Sequence, residues 1–350
     1  MPALSRRQFL LRLAMLGGGM VAGDLLAACA PAARPSPTSL PTAQPTVPPA
    51  TVAPVPTSAP TLHPATATPV PATSAPTATP ASAYLVVARG DKPAEITERA
   101  IAALGGIERF VKRGARVIVK PNICIADHTF EYGATTNPEV VATLVKLCLG
   151  AGAASVRVMD QPFSGTPDAA YARSGIAEAV RAVGGQMEIM AAMKYRDTPI
   201  PEGRDLKRWR VYGDILDADL VINVPVAKTH GIARLTLGGK NLMGVVLDRG
   251  SFHLNIGQRI ADLVSLVRPA LTVIDAVRIM VRNGPTGGSL DDVKMMNTVI
   301  ASTDIVAADA YATRLFNRQP SDIAYIKAAA EMKLGTMDLS NVKIEELQVG

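Results

Sequence analysis

From Tyr84 onward, short runs of β-branched and aliphatic residues alternate with longer stretches in which apolar residues recur every three or four positions. The runs at Arg116–Lys120, Ser155–Met159, Leu220–Val224, Leu271–Ile274 and Thr298–Ala301 predict strands, with a further β-prone piece at Met187–Met190. Pro121 stops the first of them and Pro225 stops the most apolar one. Between them, amphipathic spacing predicts helices from Asn137 to about Gly150, over Asp168–Val183, near Ile256–Val267 and over Ile305–Phe316. Asn137-Pro138-Glu139 supplies an N-cap, a proline at the first helical position and an acidic first turn. This alternation predicts an α/β domain with a mainly parallel sheet and helices on both faces, large enough to leave room for two lobes. Ligands of such sheets sit beyond the carboxyl ends of the strands. The polar residues to weigh are therefore Lys120-Pro121-Asn122, Asp160, Lys228-Thr229-His230 and Asp275. The chain carries no internal repeat, P-loop or GxGxxG motif.

Ahead of this domain the pattern changes twice. Ser5-Arg6-Arg7-Gln8-Phe9-Leu10 leads into an apolar stretch from Leu10 to Leu26, diluted by Arg12 and by Gly17, Gly18 and Gly19. Paired arginines before mild hydrophobicity resemble a twin-arginine export signal, which implies the twin-arginine machinery as a partner. Leu26-Ala27-Ala28-Cys29 resembles a bacterial lipobox, with Cys29 as the lipid acceptor. Residues 1–29 are thus expected to be a lipoprotein signal. The mature chain is expected outside the cytoplasm, anchored to the outer face of the cell membrane through Cys29. Residues 30–83 hold more than half of the chain's 27 prolines, among Thr, Ala, Ser and Val, with Arg34 as the one residue from the Asp/Glu/Lys/Arg set. Such a composition offers too little large apolar surface to offset ordering entropy, so a disordered tether is expected. Extended as polyproline II, at about 3.1 Å per residue, it reaches about 170 Å.

Charge adds little. The formal charge is +6, and the domain over residues 84–350 has no run of lysine or arginine, so nucleic acid is not an expected partner. Cys124 and Cys148 form no CxxC motif, which leaves a single disulfide between them open and gives no basis for an iron–sulfur cluster.

The densest polar segment runs from Asn223 to His253. Within it His230 and His253 flank Gly238-Gly239-Lys240-Asn241. The glycines would let backbone amides meet an anion, and Lys240 offers a point charge or, with a lowered pKa, a nucleophile. The competing reading has Lys228 and Lys240 on the surface and the glycines in a tight turn.

Several motifs occur here in the order of domain-of-unknown-function family 362: Lys120-Pro121-Asn122, Thr136-Asn137-Pro138-Glu139-Val140, Asn223-Val224-Pro225 with Lys228-Thr229-His230, and Gly239-Lys240-Asn241-Leu242-Met243-Gly244. His253, Asp275, Gly284-Pro285-Thr286-Gly287-Gly288, and Asp304 with Ala307, Ala308 and Asp309 continue that order. The domain resembles this family, some members of which carry a ferredoxin-like module that the cysteine content here does not match. The central order of histidine, Gly-Gly, lysine and histidine also resembles the nickel-pincer lactate racemases, although there a residue intervenes between the glycines and the lysine. That resemblance implies a covalent cofactor on Lys240, a metal on His230 or His253, and proton or hydride transfer by histidine, with His128 a poor candidate for an additional base.

These readings converge on an exported enzyme of isomerase or oxidoreductase type that acts on a small anion such as a hydroxy acid. His230, Lys240 and His253 are its expected catalytic centre, and His230 and His253 the expected ligands of a divalent metal. Lys120, Asn122, Lys228, Gly238, Gly239 and Asn241 are expected to bind the anion, with Asp160 or Asp275 behind them. A solute-binding lipoprotein without catalysis, or an electron-transfer or assembly partner at the membrane, are the alternatives.

Overall fold

A computed structural model describes residues 84–350. Arg6, Arg7, Cys29 and the tether lie outside the described residues. The elements in chain order begin with β1 (Tyr84–Arg89), α1 (Pro93–Ala103), β2 (Arg116–Pro121), α2 (Pro138–Gly150), β3 (Ser155–Val158), α3 (Pro167–Arg173), α4 (Ile176–Ala182) and β4 (Gln186–Met187). They continue with β5 (Tyr195–Pro199), β6 (Arg208–Tyr212), α5 (Gly213–Asp217), β7 (Leu220–Val224), β8 (Val226–His230), β9 (Arg234–Thr236), α6 (Gly238–Asn241) and α7 (Arg249–Phe252). The last are α8 (Ile256–Val267), β10 (Leu271–Met280), β11 (Val293–Ser302), α9 (Ile305–Ala312), α10 (Ala324–Glu331) and β12 (Lys343–Gln348).

The main sheet runs β12-β1-β11-β10-β7-β2-β3-β4, with β8 and β9 attached beside β10. Its neighbours pair in parallel except where β11 meets β1 and β10, and where β9 meets β8. A sheet of this kind must be covered on both sides, and β7 is buried at all five positions. Strand alternation divides the core accordingly. Leu85 and Val87 of β1 pack into one cluster with Ile260 of α8, Ala308 of α9 and Tyr325 of α10. Val86 and Ala88 pack into the other with Ile96 of α1, Leu144 of α2 and Val180 of α4. The expected α/β architecture with helices on both faces is present. Of the arrangements that the length allows, residues 84–350 take the undivided one.

Local chemistry explains where element boundaries differ from those expected. Asn137 caps α2 by accepting a 2.9 Å bond from the Glu139 amide, as its position predicts. The single helix expected over 168–183 breaks in two because Gly175 adopts φ 77°, a left-handed conformation that costs glycine little. β10 and β11 are longer than their apolar runs because they pair with each other from Thr272–Ser302 to Met280–Val293. Cys124 and Cys148 are both free thiols, so the disulfide left open by the sequence is not formed. Cys148 sits in the core, where burial pushes its thiol up to about 12.

One junction positions the site. β7 lies between β2 and β10, but after Pro225 the chain leaves β2 and continues as β8 alongside β10. The Pro225 carbonyl accepts a 2.8 Å bond from the Asp275 amide, which fixes this turn toward β10. The end of β2 and the length of β8 therefore part, and a crevice opens between them at the carboxyl ends of the strands.

Candidate active site

That crevice is a cavity of about 570 Å³, lined by residues that follow β2, β3, β8 and β10, by α6 and by the turn carrying α7. His230, Lys240 and His253 all face it. The sequence thus brings its three proposed catalytic residues together.

The floor is held by a polar network. Lys120 is fully buried and donates to Asp160 at 2.7 Å and to the Pro121 carbonyl at 3.0 Å. Burial pushes its ammonium down, and the Asp160 carboxylate opposes that shift. Asp160 also accepts from the Ile123 amide at 2.7 Å. Asn241 accepts from Asn122 at 2.9 Å and donates to Asn223 at 2.9 Å, while Asn122 accepts from Lys228 at 2.9 Å. The amide groups of Asn122 and Asn241 are thereby engaged within the protein. Both residues line the cavity, and both act by positioning Lys228 and Lys120. Lys120 itself is not at the cavity wall, so its expected contact with the anion is corrected: it is the counter-ion of Asp160.

Gly244 shows how tightly this pair is packed. A Cβ there would lie 1.8 Å from Asp160 Oδ1 and 2.6 Å from Lys120 Nζ. Gly244→Ala is expected to displace the ion pair and cost roughly 1–3 kcal/mol. A lowered Tm in thermal unfolding followed by circular dichroism checks this; an unchanged Tm would mean that the floor yields freely.

Above the floor stand cations without carboxylate partners among the described residues. Lys228 is buried beside Cys124 and donates to two neutral oxygens, those of Asn122 and of the Ala134 carbonyl at 2.6 Å. Arg249 donates to the carbonyls of Gln161 at 3.1 Å and Pro162 at 2.7 Å. Lys240 is half-buried, and its amine is lowered to about 8, first by burial and then by the positive charge of Lys228. Burial also pushes Lys228 down. Buried charge is costly unless paired, so three basic side chains facing one cavity without carboxylate partners make its wall electropositive.

The histidines differ in their hydrogen bonding. His230 Nδ1 accepts the amides of Ile232 and Ala233, each at 3.1 Å. The neutral ring therefore carries its proton on Nε2. Burial, then the charges of Lys240 and Lys228, lowers this imidazole to about 3, so it is neutral at any physiological pH. His253 Nδ1 meets the Arg249 carbonyl, so Nδ1 is its donor and, in the neutral ring, Nε2 is the acceptor. The two rings lie 6.2 Å apart between centroids and within 18° of parallel. One cavity thus holds a neutral imidazole that donates and another that accepts.

This donor set does not fit the expected metal centre. The remaining nitrogen of His230 is a donor, which leaves Nε2 of His253 as the one ring nitrogen of the pair that could ligate. No group of three His, Cys, Asp or Glu among the described residues is arranged to hold a metal ion.

Two further expectations are corrected. The amides of Gly238 and Gly239 donate to Asp309 of α9, at 2.6 and 2.8 Å, and so hold α6 in place instead of meeting an anion. Burial raises Asp309 to about 7. Asp275 lies beneath the sheet end, accepting from the Asn137 amide at 2.7 Å and the Val277 amide at 3.0 Å, and burial raises it to about 6. It secures the start of α2 and does not reach the cavity. His128 is also away from the cavity, stacked on Tyr132 at 4.5 Å. Sequence reasoning missed Arg249, Gln161, Cys124 and Thr236, all of which line the cavity. The position of Arg249 inside the polar segment, four residues before His253, was the available signal for it.

The chain is 30% identical over 250 residues to a thylakoid-associated protein of Synechocystis sp., covering 66% of this chain and 72% of that one. Two solved structures are more distant. The lactate racemase apoprotein from Thermoanaerobacterium thermosaccharolyticum shows 12% identity and a TM-score of 0.40 over 63% of this chain. A protein from Thermotoga maritima shows 14% and 0.37 over 70%. This chain spans 54% and 60% of those two structures. Residues 117–314 match the family described as a domain of unknown function, DUF362, and the chain belongs to that family.

Proposed function

We propose that this protein is an exported, lipid-anchored enzyme that binds a small carboxylate or phosphate and moves a proton on it, as an isomerase does. The observation that carries this reading is the convergence of Lys228, Lys240 and Arg249, without carboxylate partners, on the cavity that holds an accepting and a donating imidazole. The cations neutralise the anionic group and stabilise the charge that develops when the adjacent C–H bond breaks. His253 Nε2 takes the proton, and the electron pair passes into the carboxylate. The Nε2–H of His230 donates to the developing oxyanion, a role suited to an imidazole that stays neutral. Return of the proton from His253 or Lys240 completes an exchange. A covalently held cofactor would attach at Lys240, the cavity amine whose neutral form is accessible near pH 8.

Proton NMR in deuterium oxide tests the proposal, with glycolate, lactate and longer 2-hydroxy acids offered to the purified mature protein. Loss of the α-C–H signal supports proton transfer. Binding of these acids without loss of signal sinks the enzyme and favours solute capture.

Lys240 sets a pH dependence. Its folded pKa is depressed, so its charge is present below about 8 and lost above it. Anion affinity is expected to fall by up to tenfold per pH unit above that value, as read by calorimetry with lactate. Lys240→Met should flatten the profile. Stability takes the opposite sign. The unfolded lysine holds its proton to higher pH than the folded one, so this group favours the folded state increasingly as pH rises from about 8 toward 10.5.

The anchor rests on Arg6, Arg7 and Cys29, and the thylakoid-associated relative is in keeping with a protein held at a membrane. No helix among the described residues is long and apolar enough to cross one. Replacing Arg6 and Arg7 by lysine should leave the precursor in the cytoplasm, and Cys29→Ala should abolish fatty-acid labelling. Normal export or persistent label in these variants would remove the respective assignment.

A further inference from the structure

The cavity is larger than a three-carbon acid requires. A cavity of about 150 Å³ accommodates benzene, whereas this one approaches 570 Å³, within the range of sites for drug-sized ligands. Its polar groups are also unevenly placed. Lys228 stands on Asn122 of the floor, and Lys240 stands beside His230. The lining also includes apolar side chains, and two of them are large and exposed: Phe163 at 69% and Ile232 at 62%. Phe163 follows β3 and Ile232 follows β8, so they come from separate loops. Single exposed apolar side chains are ordinary on any protein. Two on different loops line the same basic cavity, with Met243 and Pro285 also in its wall, so the cavity offers apolar surface besides its cations.

Resting on the anion-binding reading above, we infer that the ligand is a soluble amphiphilic anion: a carboxylate or phosphate head at Lys228 and Lys240, with an apolar body of roughly four to eight carbons against Phe163 and Ile232. The head is attracted by charge that the protein leaves without a carboxylate partner. The body gains by removing from water both its own surface and that of two exposed side chains. A diacyl lipid exceeds the cavity, and a two- or three-carbon acid leaves the apolar surface wet.

Calorimetric titration of the full mature chain with acetate, butanoate, hexanoate and octanoate tests this. Each methylene that becomes fully buried is expected to tighten binding by up to about fourfold, so octanoate should exceed butanoate by more than tenfold. In the double variant Phe163→Ser with Ile232→Ser the dependence on chain length should largely vanish while acetate binds as before. Both positions are exposed, so the fold should survive, and an unchanged Tm verifies it. Equal affinity across the series, or a slope that persists in the double variant, overturns the amphiphile assignment while leaving the anion site standing. Failure of every carboxylate and of inorganic phosphate to bind overturns the anion site itself.

Discussion

His253→Ala is expected to slow deuterium exchange into a bound 2-hydroxy acid by 10²- to 10⁴-fold, the usual loss when a positioned general base is removed. Its affinity for the acid should change little. His253 is half-buried and touches the fold through one bond to the Arg249 carbonyl. A structural role predicts the reverse pattern, with affinity and Tm falling together. His230→Gln provides the contrast, since an amide N–H can replace the Nε2–H donor without acting as a base. It should lose far less than His230→Ala. Equal losses in the two His230 variants would contradict the assignment of donor and acceptor roles to the two rings.

The largest effect on stability is expected at Lys120. Lys120→Met leaves the Asp160 carboxylate buried with the Ile123 amide as its remaining close partner. Removing one member of a buried ion pair costs roughly 3–5 kcal/mol, which for a domain of this size lowers Tm by roughly 10 °C. Adding Asp160→Asn removes the orphaned charge yet keeps an acceptor for the Ile123 amide. The double variant should therefore recover much of the loss. Equal or greater destabilisation in the double variant would show that the two side chains do not depend on each other.

The fold was legible in the sequence because strand and helix periods differ and Pro121, Pro225 and Asn137 punctuate them. The strands that carry little apolar signal were not. β8 holds Lys228 and β12 reads Lys-Ile-Glu-Glu-Leu-Gln, so their pairing comes from neighbours and not from their own composition. Among site residues, His230, Lys240 and His253 could be named together because they are close in sequence and rich in chemistry. The roles of Lys120, Gly238, Gly239 and Asp275 could not, since each depends on a partner distant in the chain: Asp160, Asp309 or the Asn137 amide. Glycine amides beside a lysine suit an external anion and an internal aspartate equally well. Only the position of α9 decides between them. The metal expectation failed for a related reason, because the amides of Ile232 and Ala233 fix which nitrogen of His230 holds the proton.

The central claim is that Lys228, Lys240 and Arg249 form a cavity completed by an anion, and isothermal titration calorimetry at pH 7 tests it most directly. Lactate and inorganic phosphate would each be titrated into the wild-type mature protein and into Lys240→Met, with Tm confirming that the variant is folded. The account predicts saturable one-to-one binding of at least one of these anions, weakened more than tenfold in Lys240→Met because a charge-assisted contact in a half-buried site is lost. Absence of binding to the wild type, or equal affinity in the folded variant, would contradict it.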